Sequence, residues 1–178
     1  VKTINYPWAA VEASKAVERI RDGNFQGALS SLERATRLAP DVSVYHNLRA
    51  AVYLAYRHND ELPRELECGQ LDTGSYESCL TQKAYLNNLE GKNQRPLDWR
   101  SRLALAVSAQ ALASLERDTN LANEALRLHR EAAELDPQAW WRLERLAAAY
   151  LELGQPEAAL PPLERSLVML SGTTRSAI

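Results

Sequence analysis

Residues 140–173, WWRLERLAAAYLELGQPEAALPPLERSLVMLSGT, decide the fold of this chain. Apolar residues recur in the first half of the stretch at the three- and four-residue spacing of an amphipathic helix. This stripe consists of Leu143, Leu146, Ala147 and Tyr150. Gly154 follows the stripe, at a position where helices commonly end. Farther on, Ala159 and Ser166 stand seven residues apart, so both small side chains lie on one face of a second helix. The stretch therefore predicts two helices separated by a turn.

The same spacing of small residues occurs in two upstream segments. Each segment has a small residue, another one seven positions later, and a break five positions beyond. The triplets are Ala28/Ala35/Pro40, Ala125/Ala132/Pro137 and Ala159/Ser166/Ser171. Small side chains let a neighbouring helix approach closely, and a proline disfavours helix in the residue before it. We predict that Gly23-Asn24 separates the helices of the first unit, and that Asp136-Pro137 supplies the N-cap and first residue of the last unit.

These positions resemble the signature of tetratricopeptide repeats, a 34-residue helix-turn-helix array. The match is best over 140–173, although Ser166 and Ser171 replace the usual Ala and Pro. The resemblance implies an all-α fold, a right-handed superhelical array of about four antiparallel helix hairpins. It also implies a single domain over residues 1–173, with 174–178 as a tail or the start of a truncated further repeat. The expected units are residues 9–42, 43–97, 98–139 and 140–173.

An insertion interrupts the second unit. Residues 42–59 have the pattern of a first helix, but a polar insertion at 59–78 delays its partner. The partner helix is predicted only at 79–91, and a long helix from about Asp98 to Arg117 follows.

The insertion holds Cys68 and Cys79, the only two cysteines of the chain, and the protease-like run DTGS at 72–75. Aspartic proteases need two such carboxylates, whereas this chain has one copy of the run in a helical context. A metal site would pair the cysteines with His46 or His58, but the sequence has no closely spaced cysteine pair. We predict a Cys68–Cys79 disulfide, which would remove chain entropy worth roughly 2–3 kcal/mol from the unfolded state. Two free thiols are the alternative.

The composition bounds the class of protein. The 178 residues are 46% hydrophobic, which suffices for one core, and they are rich in the helix formers Ala and Leu. A formal net charge of −2 provides no basic face for nucleic acid, and no apolar run approaches the roughly 20 residues that span a bilayer. We therefore expect no nucleic-acid partner and no direct membrane insertion by this segment. No phosphate loop, metal-ligand pattern or paired nucleophile and base is recognisable, so we predict no cofactor, no metal and no catalytic residue.

The resemblance also implies where a partner binds, because the first helix of each hairpin in such arrays lines a concave face that holds extended peptides. The candidate contact residues are Asn47 and Ala51 in the second unit, Gln110, Ser114 and Arg117 in the third, and Trp141, Glu144 and Ala148 in the fourth. Trp140 and Trp141 are adjacent on one helix and cannot face the same way, so one is expected near the groove. The alternative is that both tryptophans cover the core between the third and fourth units. The Lys and Asn pattern that clamps a C-terminal carboxylate in some chaperone-binding members is not recognisable.

The cysteine pair bears on location, since disulfides persist outside the reducing cytosol. It favours an exoplasmic or periplasmic location, with a cytoplasmic one as the alternative. Residues 5–35, followed by a cysteine-bearing insertion and by residues 85–91 and 95–106, are moreover similar to the soluble repeat regions that follow the membrane part of bacterial O-antigen ligase or polymerase-like proteins. That resemblance implies an exoplasmic domain of a membrane-anchored, polysaccharide-handling parent protein whose chemistry lies elsewhere.

The sequence favours a non-catalytic protein–protein interaction module. The chain begins at Val1, and a fifth unit would start near Thr174, so we expect a fragment of a longer array. The alternatives are the exoplasmic domain of an O-antigen ligase or polymerase-like enzyme, and a stand-alone enzyme.

Overall fold

A computed structural model describes residues 4–56, 68 and 73–175. The described residues form α-helices and no strand. The helices are α1 (Tyr6–Arg21), α2 (Phe25–Leu38), α3 (Ser43–Tyr56), α4 (Thr73–Gln94), α5 (Trp99–Glu116), α6 (Thr119–Leu135), α7 (Trp140–Glu152) and α8 (Pro156–Arg175). The chain divides into two compact units, which we call the N-terminal unit (Val1–Pro96) and the C-terminal unit (Leu97–Ile178). The prediction of a single domain over 1–173 stays a prediction.

In the N-terminal unit, α1 pairs with α2, α3 pairs with α4, and α2 packs on α3. Gly23 has a φ of +74°, and the Asn24 side chain accepts a hydrogen bond from the Gly27 N–H at 2.9 Å. Gly23-Asn24 therefore separates α1 from α2 as predicted, with the glycine in the left-handed region and the asparagine as N-cap. The small residues Ala28 and Ala35 are fully buried, in agreement with their predicted place between helices.

Helix α4 begins earlier than the sequence indicated. The structure starts it at Thr73 and ends it at Gln94, whereas the pattern placed it at 79–91. Residues 73–75 of the DTGS run thus lie in the first turn of a helix, and not in a surface loop. The reason is that Tyr76 and Leu80, four residues apart, are both buried in the core of the unit, which extends the buried stripe toward the N-terminus. The remaining insertion residues, except Cys68, lie outside the described residues.

A disulfide joins Cys68 to Cys79 in the structure, with 6.1 Å between the two Cα atoms. Cys79 lies in the second turn of α4, and Cys68 packs against the core cluster that contains Tyr53 and Leu80. The bridge therefore ties residue 68 to the second hairpin of the N-terminal unit.

In the C-terminal unit, α5 pairs with α6, α7 pairs with α8, and α6 packs on α7. Asp98 caps the N-terminus of α5, accepting from the Arg100 and Ser101 N–H groups at 3.3 Å each. Arg117 ends the same helix in the left-handed region, with a φ of 54°. The long helix predicted from about Asp98 to Arg117 has these bounds.

The start of α7 differs from the prediction. Asp136 is the C-cap of α6, and α7 begins at Trp140 after Ala139, which makes no side-chain cap bond. Asp136-Pro137 is therefore not the N-cap and first residue of α7. The Asp136 carboxylate instead accepts a hydrogen bond from Arg142 at 2.7 Å, and this contact satisfies it in a turn before the helix. Gly154, with a φ of +73°, follows the last residues of α7 as predicted.

Candidate binding face

Helices α5 and α7 carry most of the predicted contact residues. Gln110, Ser114 and Arg117 stand at intervals of four and three residues on α5 and its C-cap, and Trp141, Glu144 and Ala148 have similar intervals on α7. Such spacing places each trio on one side of its helix. Ser114, Arg117 and Glu144 are exposed, while Gln110, Trp141 and Ala148 are half-buried. We call these six residues the α5/α7 face.

Gln110 joins three helices of the C-terminal unit. Its amide nitrogen donates to Glu152 on α7, and its Oε1 lies 2.9 Å from Nε2 of His129 on α6. Because an amide oxygen can only accept, the His129 Nε2 carries the proton. Gln110 thus fixes the C-terminal end of α7 beside α5, and its side chain is largely committed to this role.

The sequence did not single out the two partners of Gln110 in this network, of which His129 is the buried one. It is only 3% exposed, and its Nδ1 has no hydrogen-bond partner among the described residues. Burial, assisted by the positive charge of Arg145, lowers the pKa of His129 to about 4. The imidazole is therefore neutral at pH 7, with its single proton on Nε2.

Trp141 lies against a second aromatic residue. Its ring meets the Trp99 ring edge-on, with 5.5 Å between centroids, and the Arg142 guanidinium lies 3.5 Å from the centroid of Trp99. Arg142 also donates to the Asp136 backbone oxygen at 2.8 Å and to its carboxylate. The hydrogen bond from Arg142 lowers the pKa of Asp136 below its usual range. We call Trp99, Asp136, Trp141 and Arg142 the arginine clamp, since they link the start of α5 to the start of α7.

The clamp bears on both interpretations of the tryptophan pair. Trp140 and Trp141 are each half-buried, and Trp141 contacts the preceding hairpin through Trp99. Trp141 therefore contributes to packing between consecutive hairpins, while part of its surface remains open at the edge of the α5/α7 face.

In the N-terminal unit, Ala51 is exposed on α3, whereas Asn47 is half-buried. A Cβ atom built on Gly91 of α4 would overlap the Asn47 Oδ1 atom. Asn47 therefore points toward the partner helix of its own hairpin, and its amide lies against Gly91. Its assignment to a concave face stays a prediction, as do the assignments on α5 and α7.

Within the described ranges, no group of three His, Cys, Asp or Glu side chains is placed to hold a metal ion. No helix among those described is long and apolar enough to cross a bilayer.

No protein-family model matches the chain, and no curated protein matches it. Solved structures do resemble it. A structure of MamA MSR-1 superposes with a TM-score of 0.63 at 18% identity, covering 93% of this chain and 78% of that one. A thermophilic TPR protein of Thermus thermophilus gives 0.66 at 18% identity, with coverages of 90% and 74%. The first TPR of Spaghetti, bound to the HSP90 peptide SRMEEVD, gives 0.63 at 13% identity, with coverages of 84% and 96%. At these identities the likeness establishes the fold, and the chain therefore has the all-α fold of tetratricopeptide-repeat proteins that its sequence predicts.

Proposed function

We propose that this chain is a non-catalytic protein–protein interaction module that binds a protein or peptide on the α5/α7 face. The observation that supports the proposal most directly is the Gln110 bridge, which holds α5 and α7 side by side with exposed residues on both. Exposed apolar and polar residues share this side of the helices, because Val107 (37% exposed) stands seven residues before Ser114 and Leu151 (53% exposed) seven residues after Glu144. A surface with both apolar and polar residues suits an extended chain with both kinds of side chain.

Glu144 and Arg117 are the residues on which to test this proposal. Both are exposed, and reversing their charge leaves the core intact. Trp141 is a poorer test, since its contact with Trp99 couples any substitution to the packing of the unit. The neighbouring Spaghetti structure holds a peptide that ends in an acidic residue. The present sequence lacks the recognisable Lys and Asn clamp, so we expect SRMEEVD itself not to bind.

The experiment is to select peptides from a displayed random library on the purified, disulfide-bonded chain and to measure their affinity by fluorescence anisotropy. Glu144→Arg should weaken the selected peptides at least tenfold, about 1.4 kcal/mol or more. Glu157→Arg, an equally exposed change in the first turn of α8, is the matched control and should leave affinity unchanged. Peptides that respond to neither Glu144→Arg nor Arg117→Glu would remove the assignment to this face.

We further propose that the chain resides on the exoplasmic or periplasmic side of a membrane, as part of a longer protein. The Cys68–Cys79 bridge supports this location, because such bonds persist in oxidising compartments. The resemblance to soluble regions of O-antigen ligase or polymerase-like proteins supports an alternative function, in which the chain is the exoplasmic domain of such a membrane-anchored enzyme. The structural neighbours do not bear on this alternative.

Location is tested by trapping thiols in intact cells of the source organism before lysis. Oxidised Cys68–Cys79 peptides in the mass spectrum are expected. Two alkylated cysteines would instead favour the cytoplasmic alternative. The upstream reading frame tests the parent protein, since apolar segments of about 20 residues are expected there.

A further inference from the structure

Each unit has a cavity at the same place, between the second helix of one hairpin and the first helix of the next. The cavity of the N-terminal unit, between α2 and α3, has a volume of about 430 Å³. The cavity of the C-terminal unit, near α6 and α7, has a volume of about 260 Å³. The N-terminal cavity is lined by Glu33, Thr36, Arg37, Pro40, His46 and Arg49. The C-terminal cavity is lined by Arg130, Ala133, Glu134, Pro137, Leu143, Leu146 and Arg165.

The six N-terminal lining residues correspond to six of the seven C-terminal ones, and Arg165 is the additional residue. Every N-terminal lining residue has its counterpart 97 positions later, as Pro40 has Pro137. The wall that α3 contributes differs in kind from its counterpart, because His46 and Arg49 take the positions of Leu143 and Leu146. Leucine at these positions is compatible with the packing of the C-terminal unit, so hairpin packing does not by itself require a histidine and an arginine here. Their presence calls for a different explanation.

Arg49, in the wall of the N-terminal cavity, does not use all of its hydrogen-bond donors within the described part of the chain. One of its terminal nitrogens donates to the Tyr53 hydroxyl at 3.3 Å, and the guanidinium lies 5.8 Å from the centroid of that ring. These contacts orient the side chain, yet its buried Nε has no hydrogen-bond partner in the described part of the chain. His46 is 8% exposed, and its Nε2 is held 2.8 Å from the Pro40 carbonyl oxygen. The α3 wall of the cavity is therefore polar, its side chains are oriented by hydrogen bonds, and one of its hydrogen-bond donors has no partner among the described residues.

The charges at the cavity favour an anion. Arg37 and Arg49 supply two permanent positive charges against the single negative charge of Glu33. Arg37 and Glu33 approach only to 3.8 Å, and their side chains are 66% and 56% exposed, so this surface pair is weak. Arg37 can turn from Glu33 to a ligand at little cost.

We propose that the cavity between α2 and α3 is a binding site for a small oxyanion group, a phosphate or a carboxylate, held by the guanidinium groups of Arg37 and Arg49. Guanidinium forks match both oxyanions in geometry. The site lies in the N-terminal unit and does not depend on the α5/α7 face, so either proposal can fail without the other.

The test is a nitrogen-15 NMR titration of the disulfide-bonded chain at pH 7 with inorganic phosphate, and separately with acetate, against sodium chloride at equal ionic strength. Saturable shifts are expected at the amides of Thr36, Arg37, His46 and Arg49, with a Kd on the order of 1 mM. Shifts with phosphate alone identify a phosphate site, and shifts with both anions identify a general oxyanion site. Shifts that match those of sodium chloride, or that saturate elsewhere, overturn the proposal.

Three variants test whether the anion binds at the residues named above. Arg49→Leu, which copies the C-terminal cavity, should weaken binding about tenfold or more by removing a charged hydrogen-bond donor. Glu33→Gln should tighten binding roughly threefold, because it removes the opposing charge; it is exposed and leaves folding intact. Arg21→Leu, an exposed change at the end of α1, is the control for net charge and should have little effect. An unchanged Kd in Glu33→Gln, or equal losses in Arg49→Leu and Arg21→Leu, would refute the site even if one variant folds poorly.

Discussion

Arg142 is only 3% exposed, and its charge is compensated locally by Asp136 and the ring of Trp99. We expect Arg142→Met to lower the free energy of unfolding by about 2–4 kcal/mol, because it removes the hydrogen bonds to Asp136 and the stacking on Trp99. Urea denaturation at pH 7 measures the change. Arg145→Met, three residues along α7 and exposed, is the matched control and should change stability by less than about 0.5 kcal/mol. Equal effects of the two substitutions would show that the clamp contributes nothing particular.

For individual residues, the sequence predicts the position on a helix but not the contacts made with other helices. The register of Trp141 on its helix followed from the repeat, but its contact with Trp99 did not, since the two lie on different helices. Likewise, the sequence predicts Gln110 as a contact residue on the concave face, and the structure shows its amide between His129 and Glu152. A local pattern gives the side of a helix on which a residue lies. It does not give the partner that a long polar side chain selects across helices.

At the scale of helices, Gly91 in the middle of α4 is the clearest constraint. Replacing glycine by alanine within a helix usually stabilises it by roughly 0.5–1 kcal/mol. Here the added Cβ would overlap the Asn47 side chain and lie 3.2 Å from the Ser43 carbonyl oxygen. We therefore expect Gly91→Ala to destabilise the chain by about 1–3 kcal/mol, as overpacking does. Thermal and urea unfolding of Gly91→Ala, Asn47→Ala and the double variant measure the coupling. A double variant that is as unstable as the sum of the singles would contradict this contact.

The disulfide acts on the same helix. Reducing the Cys68–Cys79 bond, or replacing both cysteines by serine, should lower the free energy of unfolding by about 3 kcal/mol. The reason is that the unfolded chain gains conformational entropy when the bridge no longer constrains it. Urea denaturation with and without dithiothreitol measures the loss. The double serine variant is the control, because its stability should not respond to the reductant. Wild-type stability that is equal with and without reductant would contradict a structural role for the bridge.

Helix boundaries were predictable where a local signal sets them and not where tertiary contacts do. Gly23 and Gly154 end α1 and α7 through their positive φ angles, and the sequence indicated both. The predicted starts of α4 and α7 were wrong, for two physical reasons. Burial of Tyr76 extends α4 beyond the amphipathic run, and the contact between Asp136 and Arg142 takes the aspartate away from its predicted capping role. Both causes involve residues that the helix-start signals do not include.

For the whole chain, the repeat of residue positions from one unit to the other was visible in the sequence and determines the fold. The sequence alone does not explain why equivalent positions of the two units carry different residues. His46 and Leu143 have the same place in the repeat, but only the structure shows that both line a cavity. The fold therefore follows from what the units share, whereas candidate sites follow from where they depart from each other.

Besides Asp136, His129 in the C-terminal unit and Glu12 in the N-terminal unit are expected to make the stability of the chain depend on pH. In the C-terminal unit, the folded-state pKa of His129 is about 4, below its ordinary value of 6.5. The unfolded chain therefore binds a proton that the folded chain excludes, and stability falls as the pH drops from 6.5 toward 4. In the N-terminal unit, hydrogen bonds from Lys15 and Arg34 lower the pKa of Glu12 from 4.5 to about 2. Its stabilising contribution is present above pH 4.5 and is lost as the pH falls through 2.

The two groups can be separated by variants. Between pH 7 and pH 5, the wild-type chain should lose about 2 kcal/mol to His129, while His129→Gln should lose little, since glutamine does not titrate. Glu12→Gln should keep the loss between pH 7 and pH 5 and reduce the decline below pH 4.5, to which Asp136 still contributes. Urea denaturation at half-unit pH intervals measures both curves. A His129→Gln curve parallel to the wild type between pH 7 and pH 5 would mean that the imidazole is protonated in the folded chain, which its burial and the positive charge of Arg145 both disfavour.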